Sequence, residues 1–144
     1  MSFNEKSNIA MLATLILVYG WYFGTAAMSI LGGGLPPETA LAVTDVKMIL
    51  TVAAVIAIAI VSHIAIAIAA PSEADDTMDE RDRLIEMRGD QRGAYVLGVF
   101  AFMALVVTMV NLPAYLIANT ILAGLVASEL VKGVSRMIDY RRGV

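Results

Sequence analysis

The sequence predicts an all-α integral membrane protein with four transmembrane helices, and three observations carry that expectation. No Asp, Glu, Lys or Arg interrupts the 31 residues between Lys6 and Glu38, the 25 between Lys47 and Glu73, or the 36 between Arg92 and Glu129. Mean hydropathy is +0.78 and charged residues make up only 16%, which places the chain in the membrane class before any motif is read. The third stretch carries Asn111-Leu112-Pro113 in its middle, a helix-breaking turn signal.

A helix crosses the hydrocarbon core, about 30 Å thick, with about 20 residues. The first two stretches each hold one crossing. The third would make a helix about 54 Å long, which suits two crossings joined at the break. Spans are therefore expected near 9–31, 46–70, 94–110 and 114–131, with a charged loop at 71–93. Nothing outside the spans is long enough for a second core, so residues 1–144 form one membrane domain.

The first span reads as an uncleaved helix. Its apolar run exceeds the roughly 7–15 residues of a signal-peptide core, Glu5 offsets Lys6, and Ala26-Ala27-Met28 is a poor cleavage site. Gly20 and Gly24, four apart, suit close helix packing in lipid, while Trp21 and Tyr22 are expected to pack inside. Gly32-Gly33-Gly34 then ends the helix and Pro36-Pro37 extends the chain. Pro37-Glu38 can open a short interfacial helix through Val43, or the segment is a plain connector.

In the second span Ala57-Ile58-Ala59-Ile60 and Ala65-Ile66-Ala67-Ile68 alternate with period two. Both members are apolar and the run is too long for a strand, so the expectation is a helix with Ala on several sides. His63, the only histidine, falls about 10 Å from the cytoplasmic end of this helix. An ionisable residue inside a span points to proton or ion coupling. The alternative is a neutral imidazole bonded to a backbone carbonyl beside Ser62, and haem ligation would need a second histidine from a symmetric partner.

The short hairpin at Asn111–Pro113 forces the third and fourth helices antiparallel. The fourth has Thr120, Gly124 and Ser128 on one small-residue stripe and Asn119 placed for an interhelical hydrogen bond. Glu129 lies at a depth close to that of His63. It pairs either with His63, as a proton-sensing site, or with Lys132 three residues on. Tyr95 and Tyr140 fall near the cytoplasmic boundary and Tyr115 near the outer one, as aromatic belts require. No breaker precedes Gly143, so this helix is expected to continue past the membrane through Arg136 and Tyr140.

Topology follows from the cations. Of ten Lys and Arg, only Lys47 lies between the first two spans and none between the last two. The positive-inside rule places both termini and the central loop in the cytoplasm.

Within that loop Thr77 and Glu80 form a capping box that starts a helix at Met78. Asp79 and Arg83 are a favourable acid-first pair, Asp82 and Glu86 an unfavourable one, and Leu84, Ile85 and Met87 make a short apolar face. Gly89 and Gly93 are expected as a bend before the third span. Asp79, Glu80, Arg81, Asp82, Arg83, Leu84, Ile85 and Arg88 are candidate contacts for a cytoplasmic partner or a neighbouring subunit; the alternative is a solvated loop that only fixes topology. Asp79-Glu80-Arg81-Asp82, Ile85-Glu86, Arg88-Gly89 and Tyr95 resemble the cytoplasmic signature of small, uncharacterised four-helix bacterial inner-membrane proteins, in which an Asp-Glu-Arg motif precedes the third span. The resemblance covers about 20 residues. It implies a bacterial inner membrane and four helices, and it brings no activity.

Composition removes several function classes. With no cysteine the chain has no thiol chemistry, and no basic stripe supports nucleic-acid binding. Quinone-linked disulfide oxidases need cysteines, and intramembrane proteases and lipid phosphatases need Ser, His or Asp constellations absent here. Small multidrug transporters need a glutamate in the first helix, which is uncharged. The expectation is a non-enzymatic accessory or regulatory membrane protein without cofactor or metal, acting through its charged loop in a homo-oligomer or larger complex. Lys132, Arg136, Arg141 and Arg142 would hold anionic lipid or pair with the acidic loop. The alternative is a small homo-oligomeric transporter or channel coupled at His63 and Glu129.

Overall fold

Why the chain folds into separate rods is clearest at its one described turn. The computed structural model describes residues 3–31, 37–69 and 80–142, which form α1 (Phe3–Leu31), α2 (Pro37–Ala69), α3 (Glu80–Met109) and α4 (Ala114–Arg142). All four are long and apolar enough to cross a membrane, and there is no strand among the described residues. After α3, Asn111 adopts a left-handed backbone with φ 54, a conformation that asparagine tolerates better than most side chains. Its N–H donates to the Thr108 carbonyl at 3.0 Å, and the Leu112 N–H donates to the Val107 carbonyl at 3.2 Å. Those two bonds are the Schellman closure that satisfies the last carbonyls of a helix. Pro113 cannot extend α3, and its carbonyl accepts the Leu116 N–H at 2.9 Å to begin α4.

The helices lie side by side in the order α2, α1, α4, α3. The α3–α4 hairpin is the most extensive contact, α1 packs on both α2 and α4, and α2 barely reaches α4. Helix α4 is thus the hub and presents two faces. Gly124, Ser128, Ser135 and Asp139 turn towards α3, whereas Asn119, Leu122, Val126 and Gly133 turn towards α1. The main apolar core belongs to three helices only: Leu15, Tyr19 and Tyr22 of α1, Val55 of α2, and Leu122 and Val126 of α4. Most of α2 and the outer face of α3 are exposed within the chain. In lipid that exposure costs little, because acyl chains are as apolar as leucine and helices associate through packing and polar contacts.

Several expectations shift. The second helix begins at Pro37 and runs unbroken to Ala69. No Gly or Pro follows Pro37 to break it, so the separate interfacial helix is instead the first turns of α2. Glycines 89 and 93 make no break, since α3 is one helix from Glu80; both are buried against α4. The expected capping box and the start at Met78 lie outside the described residues. Helix α4 does continue past 131, to Arg142. Trp21 and Tyr22 cannot both face inward at 100° per residue: Tyr22 is 0% exposed and Trp21 59%.

Candidate functional site

The polar residues gather at the end of the molecule away from the 110–113 turn, where the start of α1, the ends of α2 and α4 and the first turns of α3 meet. There they enclose a cavity of 280 Å³. Ser7 and Asn8 enter from α1, His63 from α2, Glu129, Lys132, Arg136 and Tyr140 from α4, and Asp82 and Glu86 from α3.

His63 bonds through both ring nitrogens. Its Nδ1 lies 2.9 Å from the Ala59 carbonyl, one turn back in α2, and its Nε2 lies 2.7 Å from the Ser7 hydroxyl. A carbonyl only accepts, so Nδ1 carries a proton, and in the neutral ring Nε2 then accepts from Ser7. Beside it, the Asn8 amide donates to the Gly133 carbonyl at 2.8 Å. That approach needs a glycine: a Cβ at Gly133 would sit 2.6 Å from Leu12 Cδ2.

Glu129 lines the same cavity, but its carboxylate is held by Lys132 at 2.8 Å. The structure therefore brings His63 and Glu129 to one cavity and gives each a separate partner. Lys132 also reaches Asp90 at 3.7 Å, and Arg136 reaches Asp90 at 2.9 Å and Glu86 at 3.5 Å. Asn119 lies elsewhere, nearer the turn, where its Oδ1 accepts from Tyr22 at 2.9 Å and its amide donates to the Tyr115 carbonyl at 2.8 Å.

A second polar group latches α3 to α4. Arg92 bonds to Asp139 at 2.9 Å and to the Ser135 hydroxyl, and the Asp139 side chain is only 7% exposed. The Ser128 hydroxyl donates to the Gly93 carbonyl at 2.9 Å. A Cβ at Gly93 would meet Lys132 Cγ at 2.5 Å and the Ser128 carbonyl at 3.0 Å, and one at Gly89 would meet Arg136 Cγ at 2.9 Å. Small residues on α3 thus bring the helices close enough for the charges beside them to pair.

Of the candidate partner contacts, Asp82 lines the cavity and bonds to Tyr140, Ile85 is buried at 1% exposure, and Arg81 reaches the Tyr140 carbonyl at 3.4 Å. Glu80, Arg83 and Leu84 are exposed and Arg88 half-buried, while Asp79 lies outside the described residues. Of the proposed packing residues, Gly124 lies against Phe100 and Ser128 against Gly93. Thr120 bonds within its own helix to the Leu116 carbonyl, and Gly20 and Gly24 face open space.

Sequence reasoning missed Ser7, Asn8, Ser135 and Asp139. Ser128, Ser135 and Asp139 share a helical stripe with Gly124, a spacing visible in the sequence; Ser7 and Asn8 carry no such signal. Among the described residues no group of three or more His, Asp or Glu could hold a metal ion. Comparison of the chain with protein-family models, curated proteins and solved structures finds no match.

Proposed function

We propose that this chain is a non-enzymatic accessory or regulatory protein of a bacterial inner membrane, with both termini in the cytoplasm, working as part of an oligomer or larger complex. One observation carries the reading. Leu84 and Met87 are 44% and 64% exposed, and they lie about 38 and 33 Å along α3 from Met109. A hydrocarbon core of about 30 Å that begins at the turn ends before them. Two large apolar side chains thus stand where no acyl chain covers them, on a helix held in place by Arg92–Asp139 and Arg136–Asp90. Such a preorganised face loses little freedom when a partner binds.

The polar groups favour a non-catalytic role. The Ser7–His63 distance suits a nucleophile and its base, but the second ring nitrogen of His63 is bonded to a carbonyl rather than a carboxylate. The adjacent Asn8 amide, a group able to stabilise an oxyanion, is committed to Gly133.

The test is mass spectrometry of the chain extracted gently from its native membrane. The expected result is a foreign chain in fixed stoichiometry that is lost in Leu84→Asp/Met87→Asp, with insertion and helix content unchanged. A homo-oligomer with no foreign chain refutes a foreign partner at Leu84 and Met87. That outcome would favour the second reading, a small proton- or ion-coupled transporter, which the shared cavity of His63 and Glu129 supports. In that case His63→Ala and Glu129→Gln would each abolish flux in proteoliposomes.

A further inference from the structure

On the face of α4 opposite the cavity, a groove of 490 Å³ runs beside α3. Its wall is apolar, built from Leu130, Val131, Val134 and Ile138, and Arg92 and Arg142 stand at its edge. We propose that this groove binds one anionic glycerophospholipid, the acyl chain on the apolar wall and the phosphate between the two arginines.

Depth is the first argument. Measured from Ala114, the apolar wall begins about 24 Å along α4 at Leu130, and Arg142 lies about 42 Å along. The groove therefore straddles the edge of a hydrocarbon core of about 30 Å and reaches the headgroup layer. Leu130, Val131 and Val134 lie at acyl depth, Ile138 stands about 36 Å along in the headgroup layer, and the long Arg142 side chain reaches back to that layer from just beyond it.

Charge is the second. Arg92 uses Nη1 for both Asp139 and Ser135, which leaves the donors on Nη2 and Nε, and its side chain is 46% exposed. A guanidinium has five donors in a planar fork suited to phosphate oxygens. Asp139 is also in the groove, but at 7% exposure its charge is spent on Arg92. Arg142 is exposed and has no acidic partner among the described residues. Two arginines against one aspartate leave a net charge of about +1 facing the headgroups, each cation being worth about 1 kcal/mol near an anionic surface.

This site differs from a diffuse basic tail. Lys132 and Arg136 lie on the other side of α4, paired with Glu129, Asp90 and Glu86. Arg141 lies outside the groove, which makes it a control of equal charge.

Native mass spectrometry of the full chain, released from detergent with phosphatidylglycerol or phosphatidylcholine of matched acyl chains, tests the proposal. One phosphatidylglycerol should be retained at least fivefold over phosphatidylcholine. Arg142→Gln should cut that retention about fivefold, and Arg141→Gln should leave it unchanged. Val134→Trp, which fills the wall without altering charge, should also lose the lipid. Arg92 is better left intact, because its removal would unpair Asp139 in the fold. Equal retention of both lipids overturns the proposal, as does an Arg141→Gln loss matching that of Arg142→Gln. It also fails if Val134→Trp keeps the lipid, if inorganic phosphate displaces it, or if a lipid-free dimer forms instead. None of these outcomes depends on the docking role of Leu84 and Met87.

Discussion

Gly93 and Gly98 lie five residues apart on α3 and predict opposite responses to the same methyl group. At Gly93 the new Cβ meets Lys132 and the Ser128 backbone oxygen, and the backbone oxygen cannot step aside. Gly93→Ala should destabilise the protein by about 1–3 kcal/mol, as overpacking does. At Gly98 nothing lies within 4 Å, so Gly98→Ala should be neutral or slightly stabilising. Unfolding in mixed micelles, followed by circular dichroism, separates the two. Tyr22 gives a second test at this scale. Its ring is wholly buried and its hydroxyl donates to Asn119, so Tyr22→Phe should cost about 0.6–1.7 kcal/mol, from the average to the maximum found for such bonds within membranes. The interhelical role of Asn119 was legible because a carboxamide inside a span has few other uses. Its partner was not: choosing Tyr22 over Trp21 requires knowing how α1 is rotated.

At the scale of the helices, the α3–α4 hairpin is held by a small-residue seam and by ion pairs that the seam admits. Arg92 and Asp139 are unequal partners, 46% and 7% exposed. Arg92→Gln leaves a nearly buried carboxylate without its cation. Asp139→Asn leaves an arginine that can turn to water. The first should therefore cost more, about 2 kcal/mol against about 1, below the cost of breaking a fully buried pair because Arg92 is half in solvent. The same denaturation assay reads the order, and an equal loss in the two variants would contradict it. The turn at 111–113 was legible from Asn-Leu-Pro, since helix-closing chemistry is local. The roles of Gly89 and Gly93 were not. A glycine pair reads as a bend or as a contact surface according to what stands opposite, and here Lys132, Arg136 and Ser128 stand opposite.

For the whole molecule the main question is which end faces the cytoplasm. The nine Lys and Arg other than Lys47 predict that it is the charged end. A chain without cysteine is ready for a direct test. In intact cells, Asn111→Cys should react with a membrane-impermeant maleimide and Arg142→Cys should not; the reverse pattern would invert the topology. The order α2, α1, α4, α3 has a further consequence. Since α3 makes nearly all of its contacts with α4, cutting the connection between 70 and 79 should leave α3 bound to its hairpin partner, and the two fragments should still assemble through α1 and α4.

What the sequence determined by itself is the number of helices, the hairpin turn and the segregation of charge to one end. Those depend on hydropathy, on breakers and on residue counts, which are local along the chain. The tertiary structure alone decided that α4 is the hub, that Ser7 reaches His63, that Arg136 reaches Asp90, and that Arg92 and Arg142 flank an apolar groove. Each of those pairings depends on how helices rotate and slide against one another. In lipid nearly every face is apolar, so hydropathy carries no record of that rotation, and close packing at a few small residues sets it instead.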